Sequence, residues 1–287
     1  MKNYLSLSRI TGLTFLCFTL LSACDESPEE AVAPEVRPRK AEITNEVKEQ
    51  FLSLGFDPSD LVVHDGNYLL EGDMVISPEA LEHMLATEPT PVNLPTGEQY
   101  RTRTLVDRNL KTIRIRPTDE GVRFLRAIDR AIANFNALNL TFRMVRVPLG
   151  EPTDIIISRS EPDGSGALAR ARFPSQRFLG GGRPGNRIDV FAQTFDRNDD
   201  YVEQVMTHEL GHCVGLRHTD WYNRSLSCGK GGNEGSSIIG PGAEQIPGTP
   251  GRTDGPPDPE SIMNACVGGT IDGEFSFYDR VALRQMY

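Results

Sequence analysis

Cysteine, histidine, basic clusters and long apolar runs are all scarce in this chain, and each shortage narrows what it can be. There are five cysteines in 287 residues, none of them between Cys24 and Cys213, so no thiol chemistry operates across that stretch. The net charge is −10, with no basic patch or stripe of the kind that nucleic acid requires. The one sustained apolar run, Ile10 to Ala23, is too short to span a bilayer comfortably. A glycine-rich loop, Gly180-Gly181-Gly182, lacks the lysine and hydroxyl of a phosphate loop, which removes a nucleotide role. What remains is an ordinary soluble composition, 38% hydrophobic and 24% charged. That is enough for one good-sized core, or a small domain ahead of a larger one.

Histidine is as rare as cysteine, yet three of the five fall within His208-Glu209-Leu210-Gly211-His212-Cys213-Val214-Gly215-Leu216-Arg217-His218. On a helix each residue turns ~100°, so His208 and His212 stand one turn apart on the same face and can grip one metal ion. Glu209 lies on the flank, near the open coordination position. Gly215 can take φ > 0 and end the helix sharply, which lets His218 return as a third ligand. Three neutral imidazoles leave zinc a fourth position for water and lower its pKa to ~7. Glu209 is then placed to take the water's proton and return it to a departing amine. Given His-Glu-x-x-His, chance would put Gly and His at the two further positions roughly once in six hundred at this chain's composition, so the stretch is read as a zinc site.

These residues resemble the metzincin clan of zinc endopeptidases, in which the third histidine is followed by a methionine turn. Ser261-Ile262-Met263-Asn264 is the candidate turn. The surrounding text, His218-Thr219-Asp220-Trp221, Ile246 to Pro250 and Tyr278 to Leu283, looks most like the bacterial dual-action HEIGH metallopeptidases, with Leu210 where that family has isoleucine. The resemblance implies an α+β, zincin-like fold: a twisted mixed sheet, an active-site helix and a loop-rich C-terminal subdomain. It implies Zn2+ on His208, His212 and His218, catalysis by Glu209, and a protein or peptide substrate. Met263 would form an apolar floor beneath the metal. Where astacins and serralysins have a tyrosine two residues after that methionine, this chain has Ala265, so any help from that tyrosine to a developing oxyanion is absent.

Residues 1–23 read as a signal peptide, with Lys2 and Arg9 before the apolar run, and Leu21-Ser22-Ala23-Cys24 resembles a bacterial lipobox. Lipidation of Cys24 would anchor the chain to a membrane of the bacterial envelope, each buried CH2 contributing ~0.8 kcal/mol. The acidic, proline-bearing stretch 24–40 reads as a disordered tether. Residues 41–95 follow, with Val47, Phe51 and Leu54 at helical spacing and extended pieces at Leu61–His64 and Tyr68–Met74. Ahead of a protease domain at 96–287 this segment resembles a propeptide. Leu70-Glu71-Gly72-Asp73-Met74 is similar to the motif by which astacin-type propeptides place an aspartate on the zinc, although Glu-Gly-Asp also suits a hairpin turn. The Pro/Thr-rich run Thr87 to Thr96 is the expected boundary.

Within 96–287, Lys111–Arg116 reads as a strand, Asp119 to Leu138 as a helix, Leu140–Val147 as a strand and Asp154–Ser158 as a buried central strand. Gly166–Phe173, with alternating alanines, reads as a half-exposed strand; in metzincins the corresponding strand is the sheet's edge, so the resemblance implies that a substrate peptide would extend it. Arg187–Ala192 is a further strand. Asp199-Asp200 with Glu203 suggests a capping-box-like start for the zinc helix. The Gly/Pro-rich stretch from Gly229 to Pro259 reads as a wall of the substrate cleft, and Asp254–Asp258 could hold structural Ca2+. Phe275 to Tyr287 closes the chain as a helix. Setting aside Cys17 and Cys24 leaves Cys213, Cys228 and Cys266, from which Cys228 can bridge to either of the others. A different function on the same scaffold, a membrane-anchored lipoprotein binding protein or glycan, would be expected to have lost Glu209 or a histidine. A zinc hydrolase of non-peptide bonds is the third reading; the candidate edge strand favours peptides.

Overall fold

The computed structural model describes residues 40–53, 56, 58, 61–70, 74–86, 99–163, 166–176, 181–230, 234, 242–250, 257–268 and 272–287. Leu54, Asp73, the run Thr87 to Thr96, Asp254 and the signal and tether region lie outside these residues.

The chain enters through helix α1 (Asn45–Ser53), started by the Thr44 hydroxyl, which accepts from the Val47 N–H at 3.1 Å. Its buried anchor, Phe51, meets Phe56 and Tyr68 edge-on. Strands β1 (Val62–His64) and β2 (Asn67–Leu70) form a hairpin through Asp65-Gly66. Both turn residues take φ > 0, at 48° and 73°, as a two-residue hairpin demands. After β3 (Met74–Ile76), Ser77 caps helix α2 (Pro78–Ala86), accepting from Ala80 N–H at 3.1 Å. Proline at the first helical position suits this start, because its missing N–H would be unpaired there in any case.

Strand β4 (Tyr100–Arg101) then precedes the expected order of β5 (Thr112–Pro117), α3 (Val122–Asn136), β6 (Arg143–Arg146) and β7 (Ile155–Ser160). On α3 the apolar positions Phe124, Ala127, Ile128, Ala131, Ile132 and Phe135 form one buried stripe, the 3.6-residue pattern of a helix lying on a sheet. Strand β7 is internal, parallel to β5 on one side and to β9 (Arg187–Phe191) on the other. Its Ile155 and Ile157 are wholly buried. Helix α4 (Asp199–Cys213) carries the zinc motif and packs beside α3; short α5 (Ser225–Cys228), strand β10 (Glu244–Gln245, paired with β4) and α6 (Phe277–Met286) complete the chain. With β8 (Ala169–Arg172), the result is α+β: an eight-stranded mixed sheet in the order β1-β2-β3-β8-β9-β7-β5-β6, with loops prevailing among the described residues after α4.

Two expectations change. Strand β8 (Ala169–Arg172) is antiparallel to β9 as one flank, but its other flank is not a bare edge. Met74 and Val75 of β3 pair with Ala171 and Arg172 in parallel, leaving only the Gly166–Ala169 end to line the cleft. Strands from the N-terminal segment thus belong to the sheet against which the zinc helix packs. The start of α4 also differs: Asn198, not Asp200, is the cap, its side chain accepting from Tyr201 N–H at 2.9 Å. Glu203 is instead drawn into the core, where Arg130 meets it at 2.5 Å and the Asn134 amide at 3.1 Å.

Candidate metal centre and active site

Helix α4 ends in two hydrogen bonds that reverse the chain: Gly215 N–H to His212 C=O at 2.9 Å and Leu216 N–H to Gly211 C=O at 2.9 Å. This is a Schellman arrangement, and it needs the left-handed residue that Gly215 supplies at φ 101°. A Cβ there would also sit 2.8 Å from the Thr102 hydroxyl. The reversal returns His218 to the helix face carrying His208 and His212, so that one ring nitrogen of each lies within 4.8 Å of the others.

Hydrogen bonds at the far side of each ring decide what these nitrogens can bind. His208 Nδ1 is 2.7 Å from the Ile262 carbonyl, His212 Nδ1 is 2.9 Å from the Leu216 carbonyl, and His218 Nδ1 is 2.6 Å from Glu234 Oε1. All three partners only accept, so each Nδ1 carries a proton and each Nε2 presents a lone pair. Nε2 of His218 is 3.2 Å from Nε2 of both His208 and His212. Three lone pairs thus converge with no proton to share, an arrangement that a cation satisfies. Zinc–nitrogen bonds of ~2.0–2.1 Å at the tetrahedral angle separate two ligand nitrogens by about 3.3–3.4 Å, close to the observed spacing. The donor set fits zinc.

Two buried carboxylates hold this geometry from behind. Glu234 bonds His218 and also meets Arg217, itself buried, at 3.4 Å. Asp279 on α6 accepts from the Ser261 hydroxyl at 2.6 Å and from Ile262 N–H at 2.8 Å, and so fixes the backbone whose carbonyl orients His208. It also completes the capping box of α6 with Ser276. Burial pushes the Asp279 carboxyl up, against the opposite pull of those hydrogen bonds. Neither residue emerges from sequence reasoning. Glu234 stands alone in an aperiodic glycine-rich stretch with no local signal, while Ser276-x-x-Asp279 does announce a helix start but nothing of its reach to Ile262.

Met263 lies where the turn was expected. It is fully buried, and its Sδ would be 2.6 Å from a Cβ at Gly211, so glycine between the first two ligands is what lets the turn pack against α4. Glu209 is buried and shares with His208 the lining of a cavity of about 440 Å3. The Ala265 N–H is engaged by Asp220 at 3.0 Å and the Cys266 N–H by Ser227 Oγ at 3.0 Å, so neither is available to a substrate oxygen. Cys228 and Cys266 form the disulfide, and Cys213 is a buried free thiol that burial and the nearby Glu209 push well above its ordinary pKa. Among the described residues the His triad is the one group of three or more side chains able to hold a metal, so the expectation of calcium gains no support.

The sequence profile of the dual-action HEIGH metallo-peptidases matches residues 68–287. The chain belongs to this family. As a HEIGH metallopeptidase it is a hydrolase, and the family match begins at Tyr68, within β2, so it takes in part of the segment expected as a propeptide. Comparison with curated proteins finds no match. Among solved structures the HEIGH metallopeptidase is similar to myroilysin, at 12% identity over 66% of this chain and 98% of that one, with a TM-score of 0.39. It is also similar to high choriolytic enzyme 1, a hatching enzyme zinc-protease from the medaka fish Oryzias latipes, at 14% identity over 64% and 92% of the two chains and a TM-score of 0.34.

Proposed function

We propose that this metallopeptidase is a zinc-dependent endopeptidase in which Glu209 is the general base. The observation that carries this reading is the convergence of three imidazole lone pairs, their Nδ1 protons all committed elsewhere, beside a cavity that His208 and Glu209 line. Zinc on His208, His212 and His218 would act as a Lewis acid and acidify a water to a pKa of ~7. Glu209 takes the proton of the attacking water at its carboxylate and delivers it to the amine that leaves. Its burial keeps that carboxylate out of bulk solvent, and the rigid Nδ1 contacts hold the ligands while the peptide is positioned.

The N-terminal region supports a regulated, envelope-located enzyme. Cys24 is the lipid anchor to a bacterial membrane, and the segment 41–95 is a latency segment whose Asp73 competes for the metal. The pairing of β3 with β8 supports the second point, since it occupies part of the strand flank that a substrate would extend. Chelation provides the test. After removal of residues up to about 95, cleavage of an unfolded protein should vanish when zinc is stripped and return when zinc is restored; cleavage that persists in metal-free protein overturns the proposal.

A further inference from the structure

Gln204 is a buried polar side chain that the metal site does not use. It stands one helical turn before the ligand His208, about 6 Å along the axis of α4, and on the same face of that helix. Only 5% of the residue is exposed, and its amide oxygen is buried with no hydrogen-bond donor in reach. Buried polar atoms are paired in the great majority of cases, so an orphaned acceptor beside a reactive centre marks a place for a group that the protein itself does not supply.

Gln204 lines the cavity that His208 and Glu209 share. Leu168, Val205, Ile262 and Val267 give that cavity much of its apolar lining. Asn264, a second amide in the wall, is committed at both ends: its oxygen accepts from the Thr219 hydroxyl and its nitrogen donates to the Asp258 carbonyl at 3.0 Å. Charge offers no single sign to select on. Arg224 and Lys230 line the cavity together with Glu209. Behind them Glu234 lies against His218, Arg217 and Arg224, and the buried Asp220 accepts from the Ser227 hydroxyl at 2.5 Å and from Ala265 N–H at 3.0 Å. Cations and carboxylates are thus mixed in this wall, and the orphaned amide is its distinguishing group.

We infer, on the reading of the site as a peptidase, that Gln204 makes the cavity select glutamine at a fixed position beside the bond to be cut. The carboxamide of an entering glutamine donates an N–H to Gln204 Oε1 and accepts from Gln204 Nε2 in return, while its methylene stem lies against the apolar lining. Methionine has a similar stem and nothing to donate. An ionised glutamate only accepts, which leaves the orphaned oxygen as it was. A lysine ammonium can donate, but it must shed its water in a largely apolar cavity that already holds Arg224 and Lys230.

The test uses protein produced as the whole chain, loaded with zinc and then processed by removal of residues up to about 95. It is given peptides that differ only in Gln, Met, Glu or Lys at one position, the position being scanned along the peptide. At one register kcat/KM for the glutamine peptide should exceed each of the others by about tenfold, the weight of one buried hydrogen bond. Gln204→Met, close in shape and without either polar atom, should bring the ratio of glutamine to methionine to about one, with zinc content and melting temperature reporting that the fold survives. A second probe needs no variant: glutamate γ-methyl ester, neutral and with a carbonyl but no N–H, should be cut by the native protein no better than methionine. Equal rates for the four peptides, a preference for methionine, glutamate or lysine, an ester cut as well as glutamine, or a glutamine preference that survives Gln204→Met overturns the inference and leaves the peptidase standing. No cleavage of any peptide by the processed, zinc-loaded protein overturns the peptidase reading, and the inference with it.

Discussion

Replacing Glu234 tests how far the metal site depends on a residue that never touches the metal. Its Oε1 accepts the His218 Nδ1 proton at 2.6 Å, and its Oε2 lies 3.4 Å from Arg217, which is only 1% exposed. Glu234→Gln keeps the shape and an acceptor oxygen but removes the charge that raises the basicity of the ring. Carboxylate partners of metal-binding histidines are worth ~10- to 100-fold in metal affinity, which is about 1.4–2.8 kcal/mol. Glu234→Ala does more, because it also leaves the buried Arg217 guanidinium without this carboxylate; breaking such a pair costs about 3–5 kcal/mol of stability. Chelator competition gives the zinc dissociation constant, and thermal unfolding of the metal-free proteins gives the second quantity. The expected order is native, then Gln, then Ala for zinc affinity, with the metal-free Ala variant clearly less stable than the metal-free Gln variant. If Glu234→Gln, folded, binds zinc within twofold of the native protein, the charge of this carboxylate does not raise the basicity of His218 and the reasoning fails.

Gly211→Ala sets helix propensity, which favours alanine by ~1 kcal/mol, against a Cβ 2.6 Å from the buried Met263 sulfur. Overpacking of a filled core costs ~1–3 kcal/mol, so the variant should melt below the native protein and lose zinc affinity as the turn is pushed from α4. A raised melting temperature would show that Met263 does not pack as described. For the latency segment, Asp73→Ala should let the unprocessed chain cleave unfolded protein; if that form stays as inactive as before, Asp73 is a turn residue only.

Much of the site was legible because its information is local. His208, Glu209 and His212 follow from the helical period and Gly215 from the need for a left-handed residue, whereas Met263 follows only from the resemblance to metzincins. The α3 stripe and the buried isoleucines of β7 are legible for the same reason: each is a pattern within one element. Contacts between elements left no such trace. Nothing in Gly166–Phe173 says that β3 will pair with it, because strand pairing is chosen by packing across distant segments. Arg197 to Asp200 offers several consecutive polar residues, and the hydrogen bond from Tyr201 N–H to the Asn198 side chain, with Glu203 drawn away to Arg130 and Asn134, settles that Asn198 is the cap. Helix α2 lies beyond the extended pieces that alternation marks, although Ser77-Pro78-Glu79 carries its cap and first-turn proline. With the cysteines, sequence left two partners open for Cys228, and the 5.1 Å Cα separation from Cys266 closes the choice.

The account's central claim is that Glu209 moves the proton while the three histidines hold the metal. Glu209→Gln in the zinc-loaded protein, assayed for zinc content and for cleavage of an unfolded protein after removal of residues up to about 95, tests it most directly. The account predicts zinc bound as in the native protein and turnover lowered by at least ~10²- to 10⁴-fold, the contribution of a general base. Turnover within a few-fold of native, with zinc in place, would contradict it.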